Sequence, residues 1–120
     1  MRSMKDILLA LQAAALARAI LVLDGEGEVV ASAGLEEVEC ISLADRAIQQ
    51  LEAVEGLSRV IGEREFNILV HDKSGDDVHI VVLSQERVLI VVFDPGTASL
   101  GAVRLQVKAF RDELAQAPLA

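Results

Sequence analysis

The chain has neither tryptophan nor tyrosine, and its only aromatic residues are three phenylalanines. It therefore has almost no surface on which bases could stack, and stacking is the usual basis of single-stranded nucleic-acid binding. Positive charge is also scarce. Eleven Lys and Arg stand against nineteen Asp and Glu, a formal charge of -8 that repels phosphate backbones and anionic lipid at long range. Cys40 is the only cysteine. It excludes an internal disulfide, suits a cytoplasmic location, and lacks a cationic neighbour in sequence, so it reads as a buried, inert thiol. The longest apolar run, Val88 to Phe93, is far short of the roughly 20 residues that cross a bilayer, so no membrane span is expected. Arg2 and Lys5 ahead of an Ala/Leu-rich stretch resemble a leader sequence superficially. Asp6 interrupts that stretch and its apolar positions follow a helical face, so it reads as the first helix of the fold.

What remains is 52% hydrophobic and 25% charged over 120 residues, the balance of one folded domain spanning 1–120. Met4, Ile7, Leu8, Leu11 and Ala15 recur at helical spacing and predict a helix from about Ser3 to Leu16. Ala19 to Leu23 and Val29 to Ala33 read as strands joined through Asp24-Gly25-Glu26-Gly27, where Asp-Gly suits a tight reversal at positive φ. Ser42 is a candidate N-cap, with Asp45 in the first turn, for a helix ending near Ile61 at Gly62. Its apolar stripe is Ala44, Ala47, Ile48, Leu51, Val54 and Leu57, while Arg46, Gln49, Gln50 and Glu52 are expected in solvent. Three strands follow, Glu65 to Asp72, Val78 to Leu83 and Arg87 to Asp94, then a helix from about Ser99 carrying Leu100, Val103, Val107, Phe110 and Leu114 inward.

Ile20 to Leu23, Ile80 to Leu83 and Val88 to Phe93 are apolar without alternation, as strands covered on both faces are, and belong in the centre of the sheet. The segments at Val29 and Glu65 belong nearer its edges. The expected fold class is α+β, an α/β sandwich with a five-stranded antiparallel sheet between helical layers.

Catalytic and ligand signatures fail on inspection. Gly25-Glu26-Gly27 has Val30 where a dinucleotide fingerprint needs its third glycine, and Ala102-Val103 follow Gly96 and Gly101 where a P-loop needs Lys and Ser/Thr. Asp72, Ser74 and Asp76 imitate a calcium loop, but Asp77 and Leu83 occupy its glycine and glutamate positions. His71 and His79 are equidistant from Gly75 and would face each other in a symmetric hairpin, more simply as exposed cross-strand neighbours than as zinc ligands. Glu36, Glu37 and Glu39 form the densest acidic patch, placed ahead of the middle helix. Arg18, Arg46, Arg59, Arg64, Arg87, Arg104 and Arg111 read as ordinary surface ion-pair formers, and none stands out as an arginine finger. No catalytic residue, cofactor or metal is expected.

Two stretches carry a resemblance to a known family. Ala19-Ile20-Leu21-Val22-Leu23-Asp24-Gly25-Glu26-Gly27-Glu28-Val29-Val30-Ala31-Ser32 resembles the opening hairpin of the roadblock/dynein light chain proteins. Val91-Val92-Phe93-Asp94-Pro95-Gly96-Thr97-Ala98-Ser99-Leu100-Gly101-Ala102-Val103-Arg104 resembles their closing strand-to-helix passage, with Leu-Gly at the helix start. The resemblance covers nearly the whole chain. It implies a profilin-like order of elements, a third strand at one sheet edge, and a homodimer that pairs this edge and the middle helix with their symmetry mates. On this chain those elements carry Ala44, Ala47, Ile48, Leu51, Val54, Phe66, Ile68 and Val70. Bacterial and archaeal relatives imply work beside a small Ras-like GTPase, as activator or scaffold. The alternatives are a small-ligand-sensing module, which could hold an apolar pocket between sheet and helix, and a purely structural dimerisation subunit.

Overall fold

A computed structural model describes the backbone of residues 2–61, 67–71, 75–84 and 86–118. Side chains are described for the same residues except 53–61, 67 and 68. The first helix, α1 (Met4–Ala15), begins where expected because the Ser3 hydroxyl accepts the Asp6 amide hydrogen bond at 3.1 Å. It ends in a left-handed residue, Leu16 (φ 55°), whose own N–H and that of Ala17 satisfy the carbonyls of Ala13 and Gln12. Met4, Ile7, Leu8, Leu11 and Ala15 are all buried, so the periodicity did identify the inward stripe.

β1 (Ala19–Asp24) and β2 (Val29–Ala33) form the opening hairpin, but not through a two-residue reversal with positive φ at Asp24 and Gly25. The left-handed position is Gly27 (φ 85°), and the Asp24 carboxylate accepts the amides of Glu26 and Glu28 at 2.9 and 3.0 Å. The aspartate side chain thus holds a longer turn that a dipeptide rule would shorten.

α2 (Glu37–Ile61) starts five residues before Ser42, which lies inside the helix. The acidic patch expected to precede this helix is in fact its first turn. Glu37 and Glu39 sit where the helix dipole favours carboxylates, and the Glu39 carboxylate accepts the Glu36 amide at 3.2 Å. Ser42 and Asp45 fit a cap pattern, but the glutamates supplied a competing one upstream. Gly62, the expected terminator, is outside the described residues.

β3 (Asn67–His71), β4 (Asp77–Ser84) and β5 (Arg87–Phe93) complete an antiparallel sheet in the order β2-β1-β5-β4-β3. The continuously apolar strands are the three central ones, and the third strand is at an edge. Ser99 caps α3 (Leu100–Gln116) through the Ala102 amide at 3.1 Å. Helices α1 and α3 share one face of the sheet, where Val22, Val81, Leu89, Val91 and Phe93 meet Leu8, Leu11, Val103 and Val107 in the larger core. Arg2 ties the two helices together with a bidentate pair to Glu113 and lies 5.7 Å from the centre of the Phe110 ring. The alternate side chains of the same strands, Leu21, Leu23, Val78, Ile80 and Ile90, face α2. No helix among the described residues is long and apolar enough to cross a membrane.

Candidate docking surface

Two helices cover one face of the sheet, and among the described residues α2 alone covers the other. Its buried stripe begins with Ala44 (3% exposed) and Ala47 (2%), and Ile48 and Leu51 pack on the same core. Beside α2 lies an open groove of about 610 Å³. Its floor is Val70, Val78, Ile80 and Val92 from β3, β4 and β5, and its walls are Leu43 and Ala47 of α2 with Gly34 and Leu35 of the preceding connection. The small Ala47 side chain leaves the space a larger residue would fill.

Polar groups gather at the rim. The Arg18 guanidinium lies 3.1 Å from the Asp76 carboxylate, and Glu39, Ser42, Arg46 and Gln50 line the α2 side. Gly34 shapes the end wall. At φ 85° it lies so close to the chain that a Cβ there would stand 2.4 Å from the Arg18 carbonyl oxygen. The Gln12 side-chain amide donates to that same carbonyl at 2.9 Å.

The residues expected at a dimer interface are therefore distributed unevenly. Ala44 and Ala47 face their own sheet, as Ile48 does, with its Cδ1 only 2.5 Å from where a Gly27 Cβ would be. Ala47 and Val70 also line the groove, and Leu51 is half-buried. Val54 lies in α2 and Ile68 in edge strand β3, with side chains outside the described set; Phe66 and Leu57's side chain are likewise outside it. Sequence reasoning missed Val38 and Ile41, which are 77% and 54% exposed on the first turns of α2. It missed them because it began the helix at Ser42.

Several chemical expectations are corrected by register. Leu69 pairs with His79 and His71 with Asp77, so the hairpin is centred on residue 74 and the imidazoles are two rungs apart. His79 is buried at 1% exposure rather than exposed, between Leu69 and Val91 on the α1/α3 side. The exposed His71 instead places Nδ1 2.6 Å from the Asp77 carboxylate. No cluster of three potential metal ligands occurs among the described residues. Cys40 is buried, as expected of an inert thiol. Arg18 does form an ion pair, whereas Arg87 and Arg111 donate to the backbone carbonyls of Leu114 and Val82. These two arginines join α3 to the sheet.

A three-helix, five-stranded module with a bare edge strand, a half-covered sheet face and no assembled reactive cluster among the described residues defines a fold of the roadblock type. The chain belongs to the roadblock/LC7 family. It is 32% identical to MglB of Myxococcus xanthus, over 94% of this chain and 92% of that one, with a TM-score of 0.82. The gliding protein MglB of Thermus thermophilus has the same fold at 23% identity, covering 94% of this chain and 86% of that one, with a TM-score of 0.81. A roadblock/LC7 domain from Streptomyces avermitilis does so at 14% identity, covering 94% and 98%, with a TM-score of 0.76. No protein-family model and no curated protein matches the sequence.

Proposed function

We propose that the chain is a non-catalytic homodimeric platform that binds a small Ras-like GTPase and either regulates or tethers it. The observation that carries the dimer is the groove of about 610 Å³ beside α2, which lies on the side of the sheet that ends in the edge strand β3. A two-fold partner would pair β3 with β3 and bring a second α2 alongside the first. One operation then satisfies an unpaired edge and covers an apolar floor. Ala47 and Val70 line that space and are the residues here expected to meet the partner. The likeness to MglB supports the GTPase as partner, through the family resemblance carried by the opening hairpin and the closing strand-to-helix passage. If hydrolysis is accelerated, the chain acts by ordering the GTPase's own residues. Arg87 and Arg111, held against the chain's own backbone, are poor candidates for reaching into another active site.

Light scattering tests this reading. The chain alone is expected at twice its 12.8 kDa mass, and at higher mass with the GTPase in its GTP-like state. A monomer at micromolar concentration that ignores both nucleotide states would overturn it. The second reading, a small-ligand sensor, rests on the same groove, whose volume falls in the range of about 300–1,000 Å³ usual for ligand sites. Thermal stabilisation by a metabolite, with no self-association, would favour it instead.

A further inference from the structure

Three of the five large apolar side chains exposed on the described surface lie in the α1/α3 layer, opposite α2: Leu9, Leu16 and Leu105. Leu16 is exposed by 61% although it occupies a left-handed position (φ 55°) where glycine would cost least. A leucine there bears backbone strain while most of its surface stays hydrated. Leu105, exposed by 65%, lies on the outer stripe of α3 between Arg104 and Lys108. Neither cation has an ion-pair partner among the described residues, and Asp112 is one turn further along. The Arg2–Glu113 pair sets the N-terminal end of α1 beside the C-terminal end of α3. The helices therefore run antiparallel, and the Leu16 end of α1 lies towards the Arg104–Leu105 half of α3. The result is a cationic patch with an apolar centre on a chain of net charge -8.

Its complement is on the opposite side of the same molecule. Ile41 is exposed on the first turns of α2 among the exposed carboxylates of Glu36 and Glu37, while the neighbouring Val38 lines the groove. Ile41, Glu36 and Glu37 are not among the residues lining the groove, so a two-fold partner seated there would leave them open.

We infer that the outer α1/α3 face is a second self-association surface, which receives the acidic first turns of α2 from another copy. Leu105 and Leu16 meet Ile41, while Arg104 and Lys108 face Glu36 and Glu37. The contact joins two different surfaces, so it is head-to-tail and extends the assembly rather than closing it. It joins whatever unit the groove and β3 edge produce, monomer or dimer, and so stands or falls separately from the reading above.

The test is analytical ultracentrifugation of the full chain across concentration and salt. Species larger than the basic unit should appear with concentration at low salt. Their apparent association should weaken at least tenfold on reaching about 0.5 M salt, where the Debye length is only a few ångströms. The double variant Arg104→Glu/Lys108→Glu should stay at the basic unit, and so should Glu36→Lys/Glu37→Lys. Mixing the two should restore the larger species, because each variant then offers the other an oppositely charged face. Leu105→Ser, a surface change that spares the core, should weaken assembly at least tenfold. Wild-type chain that never exceeds its basic unit would overturn the inference. Assembly untouched by Arg104→Glu/Lys108→Glu, or not restored by mixing, would do the same.

Discussion

Gly34 and Gly75 both hold left-handed backbone, at φ 85° and 97°, but their surroundings differ. A methyl group at Gly75 would meet nothing within 4 Å, whereas at Gly34 it would lie 2.4 Å from the Arg18 carbonyl oxygen and 3.1 Å from the Ala19 Cα. The obstacle is backbone and is pinned on two sides. The Arg18 N–H donates to the Val92 carbonyl at 2.8 Å, and the Arg18 carbonyl accepts from Gln12 at 2.9 Å. Gly75→Ala should therefore cost only the left-handed penalty of about 1–2 kcal/mol, partly offset by the reduced entropy of the unfolded chain. Gly34→Ala adds an overpacking term of about 1–3 kcal/mol and endangers a hydrogen bond worth about 1 kcal/mol. Together these give a loss of about 3–4 kcal/mol at Gly34 against about 1 kcal/mol at Gly75. For a domain of this size each kcal/mol lowers Tm by about 4 °C, so thermal melts should fall by about 14 °C and about 4 °C respectively. Equal shifts would refute the collision argument and leave only backbone strain.

The remaining predictions concern caps, core and strain. Ser99→Ala removes the acceptor for the Ala102 amide and should destabilise by about 1 kcal/mol in urea titration, whereas Ser42→Ala, inside α2 and exposed, should be neutral or slightly stabilising. A cost at Ser42 equal to that at Ser99 would return the start of α2 to Ser42. Leu16→Gly relieves a left-handed leucine and should raise stability by about 1 kcal/mol, while weakening the head-to-tail association by sedimentation; unchanged association would remove Leu16 from that surface. Leu8→Ala empties a fully buried site in the larger core and should cost about 2–5 kcal/mol in the same titration, a smaller loss meaning that α1 can collapse onto the sheet.

Local chemistry was enough to define α1, β2 and α3, because their signals lie within a few residues of the structure they specify. Ser3 and Ser99 cap directly, and the inward stripes of both helices repeat at the helical period. The three continuously apolar strands also announced their central places, since only strands covered on both faces can be apolar throughout. The start of α2 was a contest between two plausible caps, and the glutamates from Glu36 to Glu39 prevailed over Ser42. Which histidine is buried depended on a hairpin centred one residue away from the symmetric guess, a shift that gave His71 the neighbour Asp77 and His79 the neighbour Leu69. The groove was not legible at all, because it is a space left between α2 and three strands distant in sequence. Sequence by itself determined the elements and their order, which follow from short-range periodicity and composition, while the family was legible only as a resemblance carried by the opening hairpin and the closing strand-to-helix passage. Tertiary structure alone decided where α2 lies across the sheet, and hence which apolar residues close the core and which remain available to a partner.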